Sequence, residues 1–169
     1  MVETTGVTYR NARDPRSEIF AAYGGIALPR TVVIGAGKGA AQLAQAFEAA
    51  WDAPLSGLVV TRYGHAQDAG RIEVVEAGHP VPDEAGMAAA RRMLAAASEL
   101  GEDDLLVVLL SGGGSSLLAL PVEPVTLDAL KALTKALLAS GAPIDEMNIV
   151  RRHLSRIQGG WLSASTRAR

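Results

Sequence analysis

The fold is decided by the stretch Leu105-Leu-Val-Val-Leu-Leu-Ser-Gly-Gly-Gly-Ser-Ser116. Six apolar residues in a row are typical of a parallel strand covered on both faces, and we expect a central strand here. The strand leads into three consecutive glycines, which cost conformational entropy and need a physical reason. A loop whose backbone N–H groups surround a phosphate supplies that reason, with serine hydroxyls as further donors. We name residues 111–116 the serine loop, and the predicted phosphate-binding residues are Ser111, Gly112, Gly113, Gly114 and Ser115.

A second glycine-rich loop, Gly35-Ala-Gly-Lys-Gly-Ala40, follows the short apolar run Thr31-Val-Val-Ile34 and precedes an amphipathic helix over residues 38–51. We name residues 35–40 the lysine loop. Glycines let backbone N–H groups approach a phosphate, and a helix N-terminus adds a partial positive charge. Gly35 and Gly37 are therefore predicted phosphate-binding residues, and Lys38 places an ammonium group beside them.

The lysine loop also fits the dinucleotide fingerprint G-x-G-x-x-A, so a dinucleotide site is an open alternative. Such a site usually has an acid near the end of the second strand, where it binds a ribose. Arg62 and Tyr63 stand at that point of this sequence. The spacing of the loop alone therefore does not decide between a nucleoside triphosphate and a nicotinamide cofactor.

Further strands are predicted over residues 57–61 and 71–75. Helices are predicted to begin at Asp83 and Thr126, which are N-cap residues by type, and a last helix to begin at Asp145. Alternating strands and helices predict an α/β fold, a Rossmann-like open parallel sheet with helices on both faces. Ligands bind such sheets at the carboxyl ends of the strands, where both glycine loops fall. Residues 1–30 are poorly patterned, with a short helix expected near residues 17–22.

Two polar groups outside the glycine loops are candidate site residues. The rigid segment Gly78-His-Pro-Val-Pro-Asp83 offers His79 as a general base, a hydrogen-bond donor or merely a turn residue, with Asp83 beside it. Asn148 and Arg151 share one side of the last predicted helix, next to a stripe of Met147, Val150 and Leu154 that we expect in the core. A polar row is usually a solvated face, but Asn and Arg favour anion recognition.

Composition excludes several classes of protein. Of 169 residues, 49% are hydrophobic and 20% charged, which is typical of a globular domain and not of a disordered chain. The net charge of -2 offers no electrostatic case for nucleic acid or an anionic membrane as partner. The sequence has no cysteine, which excludes disulfides and thiolate metal sites, and no apolar run approaches a membrane span. We expect a cytoplasmic protein.

The ordered set of segments resembles the N-terminal domain of two-domain glycerate 2-kinases, whose members often carry the label hydroxypyruvate reductase. The segments are Ile34-Gly-Ala-Gly-Lys38, Glu76-Ala-Gly-His-Pro-Val-Pro-Asp-Glu84, Ser111-Gly-Gly-Gly-Ser115, Leu138-Ala-Ser-Gly-Ala142 and Glu146-Met-Asn-Ile-Val-Arg-Arg-His-Leu-Ser155. The resemblance covers residues 31–160, whereas residues 161–169 match nothing expected of the family. It implies a truncated first domain and an absent C-terminal domain.

The resemblance implies phosphoryl transfer from ATP, with Mg²⁺, to the 2-hydroxyl of D-glycerate. Lys38 would be the catalytic residue that stabilises negative charge, and the serine loop would hold phosphate. His79 and Asp83 would border the site, and Asn148 and Arg151 would orient the substrate. No metal ligand is assigned. The partial domain is expected to be inactive alone and to self-associate through uncovered surfaces.

Two alternatives stay open at the level of sequence. The first is an NAD(P)H-dependent hydroxypyruvate reductase, in which the lysine loop would hold the pyrophosphate and Arg62 a 2′-phosphate. This alternative lacks an evident acid/base pair for hydride transfer. The second is a non-catalytic remnant that binds nucleotide or a partner protein.

Overall fold

The protein is described here by a computed structural model that covers residues 30–169, so the helix expected near residues 17–22 lies outside the described residues. The strands are β1 (Thr31–Ala36), β2 (Ser56–Arg62), β3 (Ile72–Ala77) and β4 (Leu105–Leu110). The helices are α1 (Ala40–Ala50), α2 (Glu84–Ser98), α3 (Gly114–Leu117), α4 (Leu127–Ala139), α5 (Ile144–His153) and α6 (Trp161–Ala164).

The four strands form one parallel sheet in the order β3-β2-β1-β4. All four predicted strands are present, and the predicted α/β class with a parallel sheet is confirmed. Because parallel strands all point the same way, the lysine loop after β1 and the serine loop after β4 leave the same edge of the sheet. The residues that follow β2 and β3 leave that edge too.

Helices cover both faces of the sheet, as predicted. On one face Phe47 and Trp51 of the α1 region stack with their ring centroids 5.2 Å apart and pack on the apolar side chains of β1 and β2. On the other face Met93 of α2 and Leu117 of α3 are fully buried against the same strands. Burial of large apolar side chains on the two faces fixes the register of the sheet, because a slip by one residue would expose them.

The prediction of a central strand over residues 105–110 is wrong within the described residues, because β4 lies at the edge of the sheet. Its side chains alternate, with Leu105, Val107 and Leu109 buried while Val108 and Leu110 are 42% and 64% exposed. A continuous apolar run specifies a strand but carries no information about which neighbours pair with it. At the start of β4 the N–H of Leu106 donates to the carbonyl of Arg169 (3.0 Å), and the N–H of Arg169 donates to the carbonyl of Asp104 (3.0 Å), so the end of the chain covers the beginning of this edge.

The C-terminal third of the described chain is the least buried part of the fold. Helix α5 forms where it was expected, but it has no fully buried residue, and Met147, Val150 and Leu154 are only half-buried instead of lying in the core. The short helix α6, within the segment that had no predicted structure, was not anticipated. Across residues 30–169 every helix is too short or too polar to cross a membrane.

Candidate phosphate-binding site

The lysine loop and the serine loop both lie at the carboxyl edge of the sheet, as predicted, and they contact each other directly. The N–H of Lys38 donates to the carbonyl of Gly112 (2.8 Å), and the N–H of Gly39 donates to Oγ of Ser111 (2.9 Å). In return the N–H of Ser111 donates to the carbonyl of Ala36 (3.1 Å). Because β1 and β4 are neighbours in the sheet, residues 72 positions apart form one structural unit.

The backbone N–H groups of the lysine loop form hydrogen bonds within the protein that hold this unit together. Besides Lys38 and Gly39, the N–H of Gly37 donates to the carbonyl of Val60 (3.0 Å). Gly37 has φ of +139°, and a Cβ there would overlap Ser111, as one on Gly35 would overlap Leu109. These contacts favour a packing role for Gly35 and Gly37, although the sequence made them phosphate-binding candidates. What the loop offers to a ligand is the exposed side chain of Lys38.

The serine loop, in contrast, keeps backbone donors free. The N–H groups of Gly112, Gly113 and Ser115 make no hydrogen bond with any of residues 30–169. They lie at the start of α3, where the first N–H groups of a helix have no partner within the helix. Free N–H groups from residues this close together can form the kind of concave surface that binds an anion.

The hydroxyl groups of the three serines are not equivalent. Ser115 donates to Oε1 of Gln158 (3.0 Å), and Ser116 donates to the carbonyl of Gly113 (3.1 Å). Ser111 only accepts, from the N–H of Gly39, so its own hydroxyl proton stays available. Among residues 30–169, of the three serine hydroxyls expected as donors to a phosphate, only that of Ser111 is not donating within the protein. Ser115 offers its free N–H group instead.

His79 and Lys38 converge on Gly113. Gly113 has φ of +89°, and a Cβ built on it would lie 2.6 Å from Nε2 of His79 and 3.4 Å from Cε of Lys38. The absence of a side chain at Gly113 therefore makes room for both groups beside the free N–H donors. Residues from the ends of β1, β3 and β4 thus meet at one point of the sheet edge.

Asp83 positions the segment that carries His79. Its Oδ1 accepts from the N–H of Gly86 (3.0 Å), which makes it the N-cap of α2 as predicted. Its Oδ2 accepts from the N–H of Gly78 (2.9 Å) and from the hydroxyl of Tyr63 (2.7 Å). Since both oxygens accept protein donors, the geometry supports a role for Asp83 in holding the loop around His79.

The site is surrounded by positive charge. Burial lowers the pKa of the half-buried His79 imidazole, and the charges of Lys38, Arg62 and Arg151 lower it further. A base whose pKa is held below its ordinary value of about 6.5 is neutral at pH 7 and can accept a proton. Burial also lowers the pKa of Arg151, which stays charged because a guanidinium loses its proton only far above neutral pH.

Helix α5 closes the site from the side of the serine loop. Asn148 accepts a hydrogen bond from Nη1 of Arg151 (3.2 Å), and both side chains are half-buried. Arg151 lines a cleft with Ser115 and Gln158, and Asn148 lines an adjoining one with the same two residues. Asn148 and Arg151 therefore both lie beside the serine loop, whereas Ser155 is buried and caps the following turn.

Two residues at this edge were missed or underused by the sequence analysis. The amide of Gln158 donates to the carbonyls of Ser115 (2.7 Å) and Leu118 (2.8 Å), so it fixes α3 against the segment after α5. Nothing in the local sequence marks a glutamine 43 residues away as its partner. Arg62 ends β2 and faces the same edge, although the sequence suggested it only as a ligand for a cofactor phosphate.

Residues 30–169 contain no group of three His, Cys, Asp or Glu side chains that could hold a metal ion. Asp83, four residues after His79, has both oxygens engaged. The described residues therefore do not by themselves fit a protein-ligated Mg²⁺, which generally takes one or two carboxylates besides phosphate oxygens.

Comparison with known proteins gives a consistent family. Residues 7–169 match the family described as "Domain of unknown function (DUF4147)". The chain is 60% identical over 135 residues to a protein of Agrobacterium vitis named "Putative hydroxypyruvate reductase", covering 79% of this chain and 31% of that protein. It is 43% identical over 134 residues to "Glycerate 2-kinase" of Pyrococcus horikoshii, covering 79% and 30%.

A solved structure agrees with these relatives. The crystal structure of glycerate kinase from Thermotoga maritima superimposes with a TM-score of 0.78 at 40% identity, over 94% of this chain and 39% of that one. The chain spans about a third of the length of the curated relatives it matches.

Proposed function

We propose, from the premise that the chain belongs to the DUF4147 family, that it is part of a glycerate 2-kinase, an enzyme that phosphorylates the 2-hydroxyl of D-glycerate with ATP. The observation that carries the proposal is the meeting, at one sheet edge, of backbone donors and an ammonium that have no partner among residues 30–169 with an imidazole whose pKa is lowered by burial. Phosphoryl transfer requires little more of a protein than positioning and stabilisation of negative charge.

Each group has a role in this reaction. The free N–H groups of the serine loop hold phosphate oxygens of ATP, and Lys38 neutralises charge on the transferring group or on the substrate carboxylate. His79 accepts the proton of the 2-hydroxyl as its oxygen bonds to the γ-phosphorus and the bond from that phosphorus to ADP breaks. Asn148 and Arg151 orient the substrate from α5. Mg²⁺ would supply further charge neutralisation on the phosphates, and no step here depends on it.

A second candidate function rests on the name of the Agrobacterium vitis relative, NAD(P)H-dependent reduction of hydroxypyruvate. The geometry favours it less, because a dinucleotide fingerprint works through the N–H groups of its glycine loop. In this chain the N–H groups of Gly37, Lys38 and Gly39 already donate within the protein. A remnant that binds nucleotide without catalysis is the third possibility.

Ligand binding to the 169-residue chain separates these functions. We expect ATP and ADP to shift the amide resonances of residues 111–116 in a heteronuclear NMR titration, while NADH and NADPH at the same concentrations shift none. Preferential binding of NADPH, with shifts in residues 35–40, would replace the kinase proposal by the reductase. Nucleotide binding without any effect of D-glycerate would support the remnant.

The proposal includes that the chain on its own phosphorylates glycerate slowly or not at all. Transfer needs both substrates held in line and shielded from water, and the described serine loop and α5 border only one side of an open cleft. The measurement is ADP release with D-glycerate, ATP and Mg²⁺, beside a full-length relative as positive control. Turnover of about 1 s⁻¹ or more from the 169-residue chain would contradict this part of the proposal.

A further inference from the structure

The guanidinium of Arg62 has no partner among the described residues. Its Nε atom is buried, and none of residues 30–169 accepts a hydrogen bond from the side chain or pairs with its charge. A buried polar atom without a partner costs stability, and the cost is greater for a charged group. Folded proteins keep few such groups, so each one calls for an explanation.

The carboxylates that could have compensated Arg62 are engaged elsewhere. Glu76, whose partner in the pairing of β2 with β3 is Thr61, the residue before Arg62, accepts through Oε1 from the N–H groups of His65 (2.9 Å) and Ala66 (3.0 Å). These contacts hold the pKa of Glu76 below its ordinary value, so it is ionised but directed at the backbone. Asp83 likewise uses both oxygens on the backbone and on Tyr63. The guanidinium of Arg62 therefore has no carboxylate partner among residues 30–169 and is open to an external anion.

The position of Arg62 sets the geometry of that anion. Arg62 ends β2, which pairs with β1, and Lys38 follows the end of β1. Neighbouring strands lie about 4.8 Å apart, so the backbones that carry the two cations leave the edge roughly one strand spacing apart. The free phosphate donors lie on the far side of β1, in the serine loop after β4. A ligand with a phosphate at the serine loop and a second anionic group two strands away would contact the serine-loop donors, Lys38 and Arg62.

We propose that Arg62 binds the carboxylate of the 2-hydroxy acid substrate, beside the hydroxyl that receives the phosphate. The inference rests on the proposed kinase function, and it adds a residue that makes the site specific for a hydroxy acid over a neutral polyol. A planar guanidinium donates two parallel hydrogen bonds to a carboxylate, a geometry that the ammonium of Lys38 cannot reproduce. The alternative source of the same negative charge, a phosphate group of the nucleotide or product, is separated by the experiment.

The experiment compares two product-like ligands that differ only at the proposed group. D-2-Phosphoglycerate carries both phosphate and carboxylate, and glycerol 2-phosphate carries a hydroxymethyl group in place of the carboxylate. Both are titrated into the 169-residue chain and its Arg62→Gln and Arg62→Lys variants, with amide shifts giving the Kd. Arg91→Gln is the matched control, because Arg91 is exposed on α2 and contacts only the sulfur of Met87.

We expect the wild type to bind D-2-phosphoglycerate more tightly than glycerol 2-phosphate. Arg62→Gln should raise the Kd for D-2-phosphoglycerate about tenfold, since one charge-assisted pair is lost, and should change the Kd for glycerol 2-phosphate by no more than about twofold. Arg62→Lys should restore part of the loss, and Arg91→Gln should change neither Kd. Because the guanidinium is unpartnered, Arg62→Gln should also leave the urea midpoint unchanged or raise it.

The contrary results are distinct. Equal weakening of both ligands by Arg62→Gln would assign Arg62 to a phosphate, and no weakening of either would remove it from the site. A lower urea midpoint in both Arg62 variants with ligand affinities unchanged would mean a structural role. Each of these overturns the inference while leaving the kinase proposal intact. If the wild type bound neither ligand but bound NADPH in an Arg62-dependent manner, the kinase proposal itself would fall.

Discussion

Replacing Gly113 by alanine tests the arrangement of the site most directly. A Cβ at this position would lie 2.6 Å from Nε2 of His79, about 0.9 Å closer than a favourable contact of about 3.5 Å. The alanine would also have to adopt φ of +89°, which costs an L-residue about 1–2 kcal/mol. Overpacking of this kind adds about 1–3 kcal/mol unless the neighbour moves.

Gly141 provides a matched control for the backbone cost. It lies between α4 and α5 with φ of +71°, and a Cβ there would have nothing within 4 Å. Gly141→Ala should therefore show the cost of the left-handed conformation alone, partly offset by the smaller entropy of the unfolded chain. The difference between Gly113→Ala and Gly141→Ala isolates the contact with His79.

We expect urea unfolding followed by circular dichroism to place Gly113→Ala about 1 kcal/mol or more below Gly141→Ala in free energy of unfolding. Adding His79→Ala should remove most of that difference, because the overlapping ring is gone. Gly113→Ala should also displace the imidazole resonances of His79, whereas Gly141→Ala should not. Equal stability losses in the two glycine variants, unaffected by His79→Ala, would refute the convergence of His79 on Gly113.

Three further outcomes are expected. In a full-length relative, alanine in place of the residue matching Lys38 should lower kcat about 10²-fold or more without changing the melting temperature. The control, alanine at the residue matching Lys135 on the exposed side of α4, should change neither quantity. Near-normal turnover of the first variant would contradict the role of Lys38. Because the pKa of His79 is lowered in the folded state, the unfolded chain binds its proton more tightly, so stability from this group is complete above pH of about 6.5 and falls as the pH is lowered. His79→Gln should lose less stability than the wild type between pH 7.5 and pH 5, His153→Gln should behave as the wild type, and parallel pH curves for all three would contradict the lowered pKa. The 169-residue chain should self-associate through the exposed edge of β4, so Leu110→Glu should shift its light-scattering mass towards the monomer, and a monomeric wild type at 100 μM would contradict this.

Much of the fold was predictable because its signals are local. Short apolar runs of β-branched residues identify strands, and the spacing of Phe47 and Trp51 identifies one buried helix face. Asp83 and Thr126 mark helix starts through their own side chains, which accept from the N–H groups three residues later. Each of these features depends on residues within one or two turns, so the sequence contains them in full.

The errors arose where structure depends on distant partners. The apolar run of β4 has the same residue pattern at an edge as at a centre, and only the pairing partners distinguish the two. Met147 and Val150 repeat with helical spacing, but spacing does not show whether another element packs against them. Gln158 became part of the site through hydrogen bonds to Ser115 and Leu118, about 40 residues earlier.

The two glycine loops illustrate the same limit at the level of chemistry. Both follow a strand and precede a helix, and by composition the lysine loop is the closer match to a nucleotide fingerprint. Its N–H groups nevertheless donate to acceptors on Val60, Gly112 and Ser111. The N–H groups of Gly112, Gly113 and Ser115 have no acceptor among residues 30–169. Glycines in such a motif therefore indicate that the backbone packs closely against a neighbour. For the lysine loop, that neighbour is the serine loop. In the proposed function we therefore assign phosphate binding to the serine loop, and we infer that the lysine loop holds the backbone of Lys38 in place beside it.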